Sequence, residues 1–474
     1  MAGPPLSSKI VRSEAVASNF ALAPSSSAIN QPASRNILIE KALAISRAQR
    51  NTKLQQLTQE QKKIVEFLQI ELEKIEEKFQ ELKRKIEAGN ASSTAEVKSL
   101  NEEILTLSRT LPDKVMAKMN ISRSDLPFQD PNLEPPFNFT FEVYSESWLN
   151  AIVNRTFYIN EINLNVQNNR DFLFEKFNIP LEAPVGNFFP EGETHNGGKK
   201  TVLIGFKTAN GIKKLVYKPR DARVDKAIVE LFVRLNGLDE KERSSKLPLP
   251  EYKITNWKNN QASIWEFIPG PNLGRKGKIP QKASSFVESQ NNDELKIKLV
   301  RLDDILKLLH VSDLHGENVI MKKEGEKYLD IVPIDLENVF IKPNRDIPTK
   351  LGGQEIRIEL ERNGLYKGLT QAEKKLTEEL KQEMSKFSVR YLPLGTTDFG
   401  KLTGDLNNID LLYNNLERAC SADGIELDKG QIEIIKGAFI LDILNNDIPF
   451  FTEKEGNLYY GLPEKNMVIG RRRV

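Results

Sequence analysis

Two stretches of the chain hold most of the groups able to do chemistry. Val311-Ser-Asp-Leu-His-Gly-Glu-Asn-Val-Ile320 carries Asp313, His315 and Asn318, and Ile331-Val-Pro-Ile-Asp-Leu-Glu-Asn-Val-Phe340 carries Asp335 and Glu337. Asp313 and Asn318 have the D-x-x-x-x-N spacing of a kinase catalytic loop, where the aspartate accepts a hydroxyl proton and the asparagine binds magnesium. Asp335 opens an Asp-Leu-Glu triplet where kinases place Asp-Phe-Gly. A carboxylate there can bridge Mg²⁺ to the phosphates of ATP, because Mg²⁺ takes few protein oxygens and completes its shell with phosphate and water. His315 has no second histidine in register for a metal, so it is read as orienting the loop by hydrogen bonds.

These groups need a phosphate-binding cation on an upstream strand. Lys218 ends the strand-like run KKLVYK and is the candidate, with Glu230, the acid nearest the middle of the following helix, as its expected partner. Trp265-Glu266-Phe267 ends a later strand before Pro269-Gly270-Pro271, which reads as a hinge whose backbone and apolar side chains would hold adenine. Each signal alone is weak: D-x-x-x-x-N is common by chance, and Asp-Leu-Glu is usually a surface loop. Their order, strand lysine, acid-bearing helix, catalytic loop, strand aspartate, is harder to reach by accident. Gly192–Thr201 approaches a P-loop, but Gly198 stands where the lysine should, so it is not a Walker A motif. A turn covering phosphates and an ordinary turn remain equal readings of it.

Composition narrows the field. Of 474 residues, 39% are hydrophobic and 28% charged, the balance of a soluble globular protein of several domains. Lys plus Arg number 68 against 66 Asp plus Glu, so a net charge of +2 gives no case for nucleic acid. One cysteine, Cys420, excludes a disulfide framework or a Cys-based zinc site. No apolar run is long enough to span a membrane, and the N-terminus lacks the pattern of a secretory signal. A cytoplasmic protein is expected.

Residues 1–35 read as a disordered tail and 36–120 as a helical hairpin. Val65, Leu68, Leu72, Ile75, Phe79, Leu82 and Ile86 form one seam at three- and four-residue spacing. Ser93 with Glu96 forms a capping box for a second seam, Val97 to Leu111, which Pro112 is expected to end. A hairpin packed on the main domain is preferred to a coiled coil for a partner or for self-association. Residues 121–270 read as a linker and a strand-rich lobe, with Asn210-Gly211 at the tip of a hairpin formed by TVLIGFK and KKLVYK. Strand-like YKITNW and ASIWEFI follow, and 271–474 reads as a mainly helical lobe with one strand pair near Ile320 and Ile331–Ile334. The fold class is α+β: a two-lobed kinase-like core with an N-terminal helical hairpin.

From Gly192 to Phe451 the chain resembles the dehydratase domain of class II lanthipeptide synthetases, which has a kinase-like fold related to lipid kinases. The residues that carry the resemblance are Gly192-Glu-Thr-His195, LVYKPRD ending at Asp221, Trp-Glu-Phe, Ser312 to Ile320, Asp335-Leu-Glu337 and Asn446-Asp-Ile-Pro-Phe-Phe451. That family phosphorylates Ser or Thr of a precursor peptide with ATP and Mg²⁺, then eliminates the phosphate. The resemblance implies Lys218 on phosphate with help from Arg220, and Asp313, His315 and Asn318 in the catalytic loop. It further implies Asp335 with Glu337 on magnesium, and His195 and Glu266 beside the nucleotide. Glu193 stands where the family has aspartate, no elimination segment aligns between Asp398 and Asn446, and a stand-alone core without the family's zinc cyclase is expected.

The expected activity is therefore ATP- and Mg²⁺-dependent phosphorylation of Ser or Thr hydroxyls in a protein or peptide. The alternatives are a complete dehydratase, a lipid kinase, a nucleotidyl transferase and a pseudokinase scaffold. Arg471-Arg472-Arg473 with Lys199 and Lys200 gives the lipid reading faint support. Loss of the cyclase, with the tail and hairpin, points to reuse of the core as an effector delivered into another cell.

Overall fold

The computed structural model describes residues 32–87, 95–119, 141–195, 199–257, 261–276, 279–280, 282–311, 314, 316–339, 351–384, 386–391, 409–445, 447–461, 463 and 466–473. The chain is a mixed α+β protein. Helices α1 (Pro32–Leu54), α2 (Gln59–Glu87), α3 (Ala95–Met119) and α4 (Phe141–Asn168) come first. The predicted seam is real and turned inward: Val65, Leu68, Leu72, Ile75 and Leu82 of α2 pack with Leu100, Ile104, Leu111 and Val115 of α3 on Tyr144, Trp148 and Ile152 of α4. The hairpin thus covers its own apolar face within the chain. Ser93 lies outside the described residues, and the start of α1 falls within the stretch read as a tail.

Pro112 does not end the second helix, contrary to expectation; α3 continues through it to Met119. An internal proline costs about 3 kcal/mol. Leu111 and Val115 are both buried on either side of it, and each such burial stabilises by roughly 1.5–3 kcal/mol. Packing therefore outweighs the missing backbone bond.

The second half of α4 changes partner. Tyr158, Ile162 and Val166, with Leu173 and Phe177 of α5 (Arg170–Phe177), back a five-stranded antiparallel sheet. Its strands are β1 (Val185–His195), β2 (Lys199–Thr208), β3 (Gly211–Lys218), β4 (Ile254–Trp257) and β5 (Ala262–Glu266), in the order β1-β2-β3-β5-β4. The β2–β3 turn falls where Asn210-Gly211 placed it; Thr208 pairs with Gly211, whose φ of 108° suits glycine. Helix α6 (Arg223–Asn236) lies between β3 and β4 in the chain.

After β5 the chain passes through Pro269-Gly270-Pro271 and the short β6 (Arg275–Lys276) and β7 (Ile279–Pro280) to α7 (Ala283–Ser289) and α8 (Asp293–Leu308). His310, at φ 58°, closes α8: its N–H bonds Lys307 O at 2.9 Å and the Val311 N–H bonds Leu306 O at 2.9 Å. The expected strand pair is the antiparallel hairpin β8 (Val319–Glu324) and β9 (Lys327–Pro333). Helices α9 (Gly353–Arg362) and α10 (Gln371–Met384) complete the core around α8.

Beyond α10 the helices are accompanied by a second sheet that the sequence did not reveal. Strands β10 (Val389–Tyr391), β11 (Ile425–Leu427), β12 (Phe451–Lys454), β13 (Asn457–Tyr460) and β14 (Val468–Arg472) form a second five-stranded sheet, in the order β10-β12-β13-β14-β11. Helices α11 (Ile409–Ala422) and α12 (Ile432–Leu444) pack on it. The strands are three to five residues long, too short to show a period of two beside helical stretches. α12 in turn meets α1 and α4 through Ala42, Leu43, Val143 and Ile440, so the N-terminal helices touch the C-terminal unit. Among the described residues, no helix is long and apolar enough to cross a membrane.

Candidate functional site

Strand β3 ends at Lys218, and the antiparallel register sets Ser263 of β5 opposite it. Trp265, two residues on, shares that face because side chains alternate, and the Lys218 ammonium sits 4.0 Å from the Trp265 ring centre. Arg220, beyond the strand end, lies over the same ring at 5.3 Å. Tyr252 stacks on Trp265 and donates its hydroxyl to Pro333 O at 2.8 Å, which ties the first sheet to the end of β9.

Two residues past β9 the chain bends. Asp335 has φ 59°, a conformation that aspartate tolerates better than most residues. Its Oδ1 accepts from the Lys218 ammonium and from Arg220 Nη2, the latter at 2.9 Å. Oδ2 receives no hydrogen bond from any described residue, and the side chain is 33% exposed. Burial works to raise the Asp335 pKa, but the adjacent Lys218 and Arg220 charges overcome it and hold the carboxyl below the usual range.

Arg220 is the centre of the cluster. It donates to both oxygens of Asp225, at 2.5 and 3.2 Å, and to Asp335, and it forms an ion pair with Glu337 Oε2 at 3.0 Å. Burial disfavours its charge, yet Asp225, Glu337 and Asp335 together raise its pKa well above normal. Asp225 lies in the first turn of α6, fully buried, where the helix dipole also favours an anion. Its Oδ1 accepts the Leu336 N–H at 2.7 Å, so α6 directly holds the Asp335 bend.

The acid on α6 is therefore Asp225 and not Glu230. Glu230 is 62% exposed and pairs only with Lys226 one turn away, because the face bearing Ile228, Leu231 and Phe232 is the one turned inward. Glu266 also departs from expectation. It is exposed, on the strand face opposite Trp265, and its Oε2 accepts the Lys253 N–H at 3.0 Å. Glu337 is brought in, but with both oxygens engaged: Oε2 by Arg220 and Oε1 by Arg390 Nη1, each at 3.0 Å. Burial pushes its pKa up against these two arginines, and the arrangement makes it a counterion instead of an open metal ligand.

Asn318 ends a short 3₁₀ turn at Gly316–Asn318, and its carbonyl accepts the Ile334 N–H at 2.8 Å across the base of the β8–β9 hairpin. It therefore stands beside the strand end that leads to Asp335. His195 occupies the end of β1 opposite Lys199, and the described parts of Gly192–Thr201 belong to the antiparallel strands β1 and β2. Asp313 and His315 lie outside the described residues.

The hinge differs in detail from its sequence reading. The carbonyls of Pro269 and Pro271 accept from Lys323 and Met321 N–H at 3.1 and 3.0 Å, and Leu273 N–H bonds Val319 O at 3.2 Å. The segment is thus bound to β8, and Gly270 is the one residue of Pro269-Gly270-Pro271 with an N–H. A Cβ at Gly270 would lie 2.1 Å from Met321 O. A cleft beside it is lined by Tyr252, Glu266, Phe267, Lys322, Asp330 and Val332, and none of the charged cluster lines it.

Comparison with known families touches the first half of this site. Residues 146–275 match a family described as a domain of unknown function, DUF4135. The matched stretch runs from α4 through the first sheet and includes Lys218, Arg220, Asp225 and Trp265, but stops before Asn318, Asp335 and Glu337. No curated protein matches the chain.

Two members of the site escaped sequence reading, and Trp265, read with the hinge, packs instead on Lys218 and Arg220. Asp225 was signalled by its place in the first turn of a helix five residues from Arg220. Arg390 had no signal, since it comes from a sheet the sequence did not reveal.

Proposed function

We propose that the chain is an ATP- and Mg²⁺-dependent phosphotransferase that phosphorylates Ser or Thr hydroxyls of a protein or peptide. The observation that carries this reading is the convergence of Lys218, Arg220 and Asp335 from opposite sides of one junction between the first sheet and the β8–β9 hairpin. The succession also fits a two-lobed kinase-like core: strand lysine, acid-bearing helix, hinge, loop with D-x-x-x-x-N, hairpin, aspartate. DUF4135 is associated with lanthipeptide synthetase-like proteins, which agrees with the motifs that led to the same family.

The residues fit a magnesium-bound nucleotide. Mg²⁺ needs only one or two carboxylates from the protein, and Asp335 offers Oδ2 while Asn318 stands at the neighbouring strand end. When bound, the metal would neutralise charge on the phosphates during transfer. Lys218 and Arg220 would exchange part of their hold on Asp335 for phosphate oxygens, while Asp225 keeps Arg220 in place. Asp313, by its spacing from Asn318, would accept the proton of the attacking hydroxyl.

A second reading, phosphorylation followed by elimination, is favoured by the DUF4135 association alone. Of the basic residues that favoured a lipid acceptor, Arg472 is bonded to both Glu453 oxygens in the second sheet and Lys200 is buried.

Intact-mass spectrometry tests the reading after incubation of the full chain with Mg²⁺, ATP and Ser- or Thr-containing peptides. A gain of one phosphate on peptide or protein is expected. Loss of water would establish the dehydratase, a nucleotide-sized gain would mean nucleotidyl transfer, and no change without ATP binding would leave a scaffold.

A further inference from the structure

The second sheet reaches the site at one point. Arg390, in the middle of β10, bonds Glu337 Oε1 at 3.0 Å, and its own N–H bonds Glu337 O at 3.2 Å. It is held there twice more: β10 pairs with β12, Arg390 opposite Thr452, and the guanidinium lies 5.2 Å from the Phe450 ring centre. An element more than fifty residues downstream therefore grips the backbone and the side chain of the Asp335-Leu-Glu337 bend.

The charges of the junction show what this grip does. Lys218, Arg220 and Arg390 face Asp225, Asp335 and Glu337, so three cations meet three carboxylates in a largely buried place. Arg220 is shared among all three carboxylates, and Arg390 serves Glu337 alone among them. Without Arg390, Glu337 would draw more of Arg220, and the cluster would carry one uncompensated negative charge where phosphate has to enter. In a water-poor site that repulsion is poorly screened.

We propose that Arg390 is a positioning residue: it neutralises Glu337, and so leaves Lys218 and Arg220 available to an incoming polyphosphate. The inference rests on the phosphotransferase reading and adds to it a control exerted by the C-terminal sheet. It distinguishes charge compensation from packing, because packing by Arg390 would be insensitive to the charge on Glu337.

The test uses the full chain as wild type, R390A, R390K and the double variant R390A/E337Q. Binding of Mg-ATP is followed by titration calorimetry and stability by thermal unfolding. R390A is expected to weaken Mg-ATP about tenfold and to lower Tm, since it strands a buried carboxylate. R390K should recover part of both, and R390A/E337Q most of both, because the amide needs no cation. A double variant as weak and as unstable as R390A would overturn the proposal. Should wild type bind no Mg-ATP, the phosphotransferase reading falls by itself. The Tm rescue then still decides whether Arg390 serves the charge of Glu337.

Discussion

Lys218 and Asp335, 117 residues apart in sequence, form a direct ion pair in which the lysine also lies against the face of Trp265. The pair joins the end of β3 to the bend after β9, and Arg220 reinforces it from the same side. A cation and a carboxylate are thus held against each other, and on the proposed phosphotransferase reading a nucleotide would come between them.

Asp335→Asn keeps the size of the side chain and removes its charge. The account predicts that Mg²⁺-dependent phosphoryl transfer falls by roughly 10²–10³-fold, the scale of losing a key electrostatic contact. A phosphotransfer assay over a series of Mg²⁺ concentrations measures this. Transfer that remains at wild-type level would remove Asp335 from the metal site.

The same substitution changes the acid stability. Asp335 has a folded-state pKa below its unfolded value near 3.9, so its stabilisation is complete above that value and is lost as pH falls through the folded pKa. Tm measured from pH 6 down to pH 2 should therefore fall less steeply for Asp335→Asn than for wild type.

Asp225→Ala strips Arg220 of the partner that holds both its terminal nitrogens. Breaking a buried pair from one side costs about 3–5 kcal/mol. Chemical unfolding should show a loss of that order, whereas Glu230→Ala, on the exposed face of the same helix, should change stability by less than about 0.5 kcal/mol.

Leu72 and Trp148 meet in the core that the helical hairpin shares with α4. Leu72→Ala should destabilise by about 2–5 kcal/mol. Sedimentation should show the same assembly state as wild type, because the seam is covered inside the chain. Dissociation of an oligomer by this variant would mean that the seam is an intermolecular contact.

Gly270→Ala places a methyl group against Met321 O at a backbone angle that favours glycine. Reduced Tm and weaker Mg-ATP binding are expected together, since the hinge segment and β8 would separate. Calorimetry and thermal unfolding on the one variant report both.

What was legible in the sequence follows physical periodicity. The α2 seam, the Asn210-Gly211 hairpin, β4, β5 and the β8–β9 pair were readable because each has a short apolar run, a one-sided apolar pattern or a turn that only a few residues satisfy. Helix α4 was not, for it is buried on several sides and places Glu146, Asn150 and Asn154 inside, where they bond Ser46, Arg50, Lys53 and the end of α12. Such a helix has no polar face to give a period. The site was legible as far as local motifs extend, to Lys218, Arg220, Asn318, Asp335 and Glu337. Which acid of α6 turns inward, and that Arg390 arrives from a second sheet, depends on packing between elements far apart in the chain.

The central claim is that the Lys218–Asp335 junction receives magnesium-bound ATP. Titration calorimetry of the full chain with ATP, with and without Mg²⁺, beside Lys218→Ala and Asp335→Asn, tests it most directly. The account predicts saturable binding to wild type that strengthens with Mg²⁺, weakens at least tenfold in Lys218→Ala, and loses its Mg²⁺ dependence in Asp335→Asn. Absence of binding to a folded wild type, or equal binding by all three proteins, would contradict it.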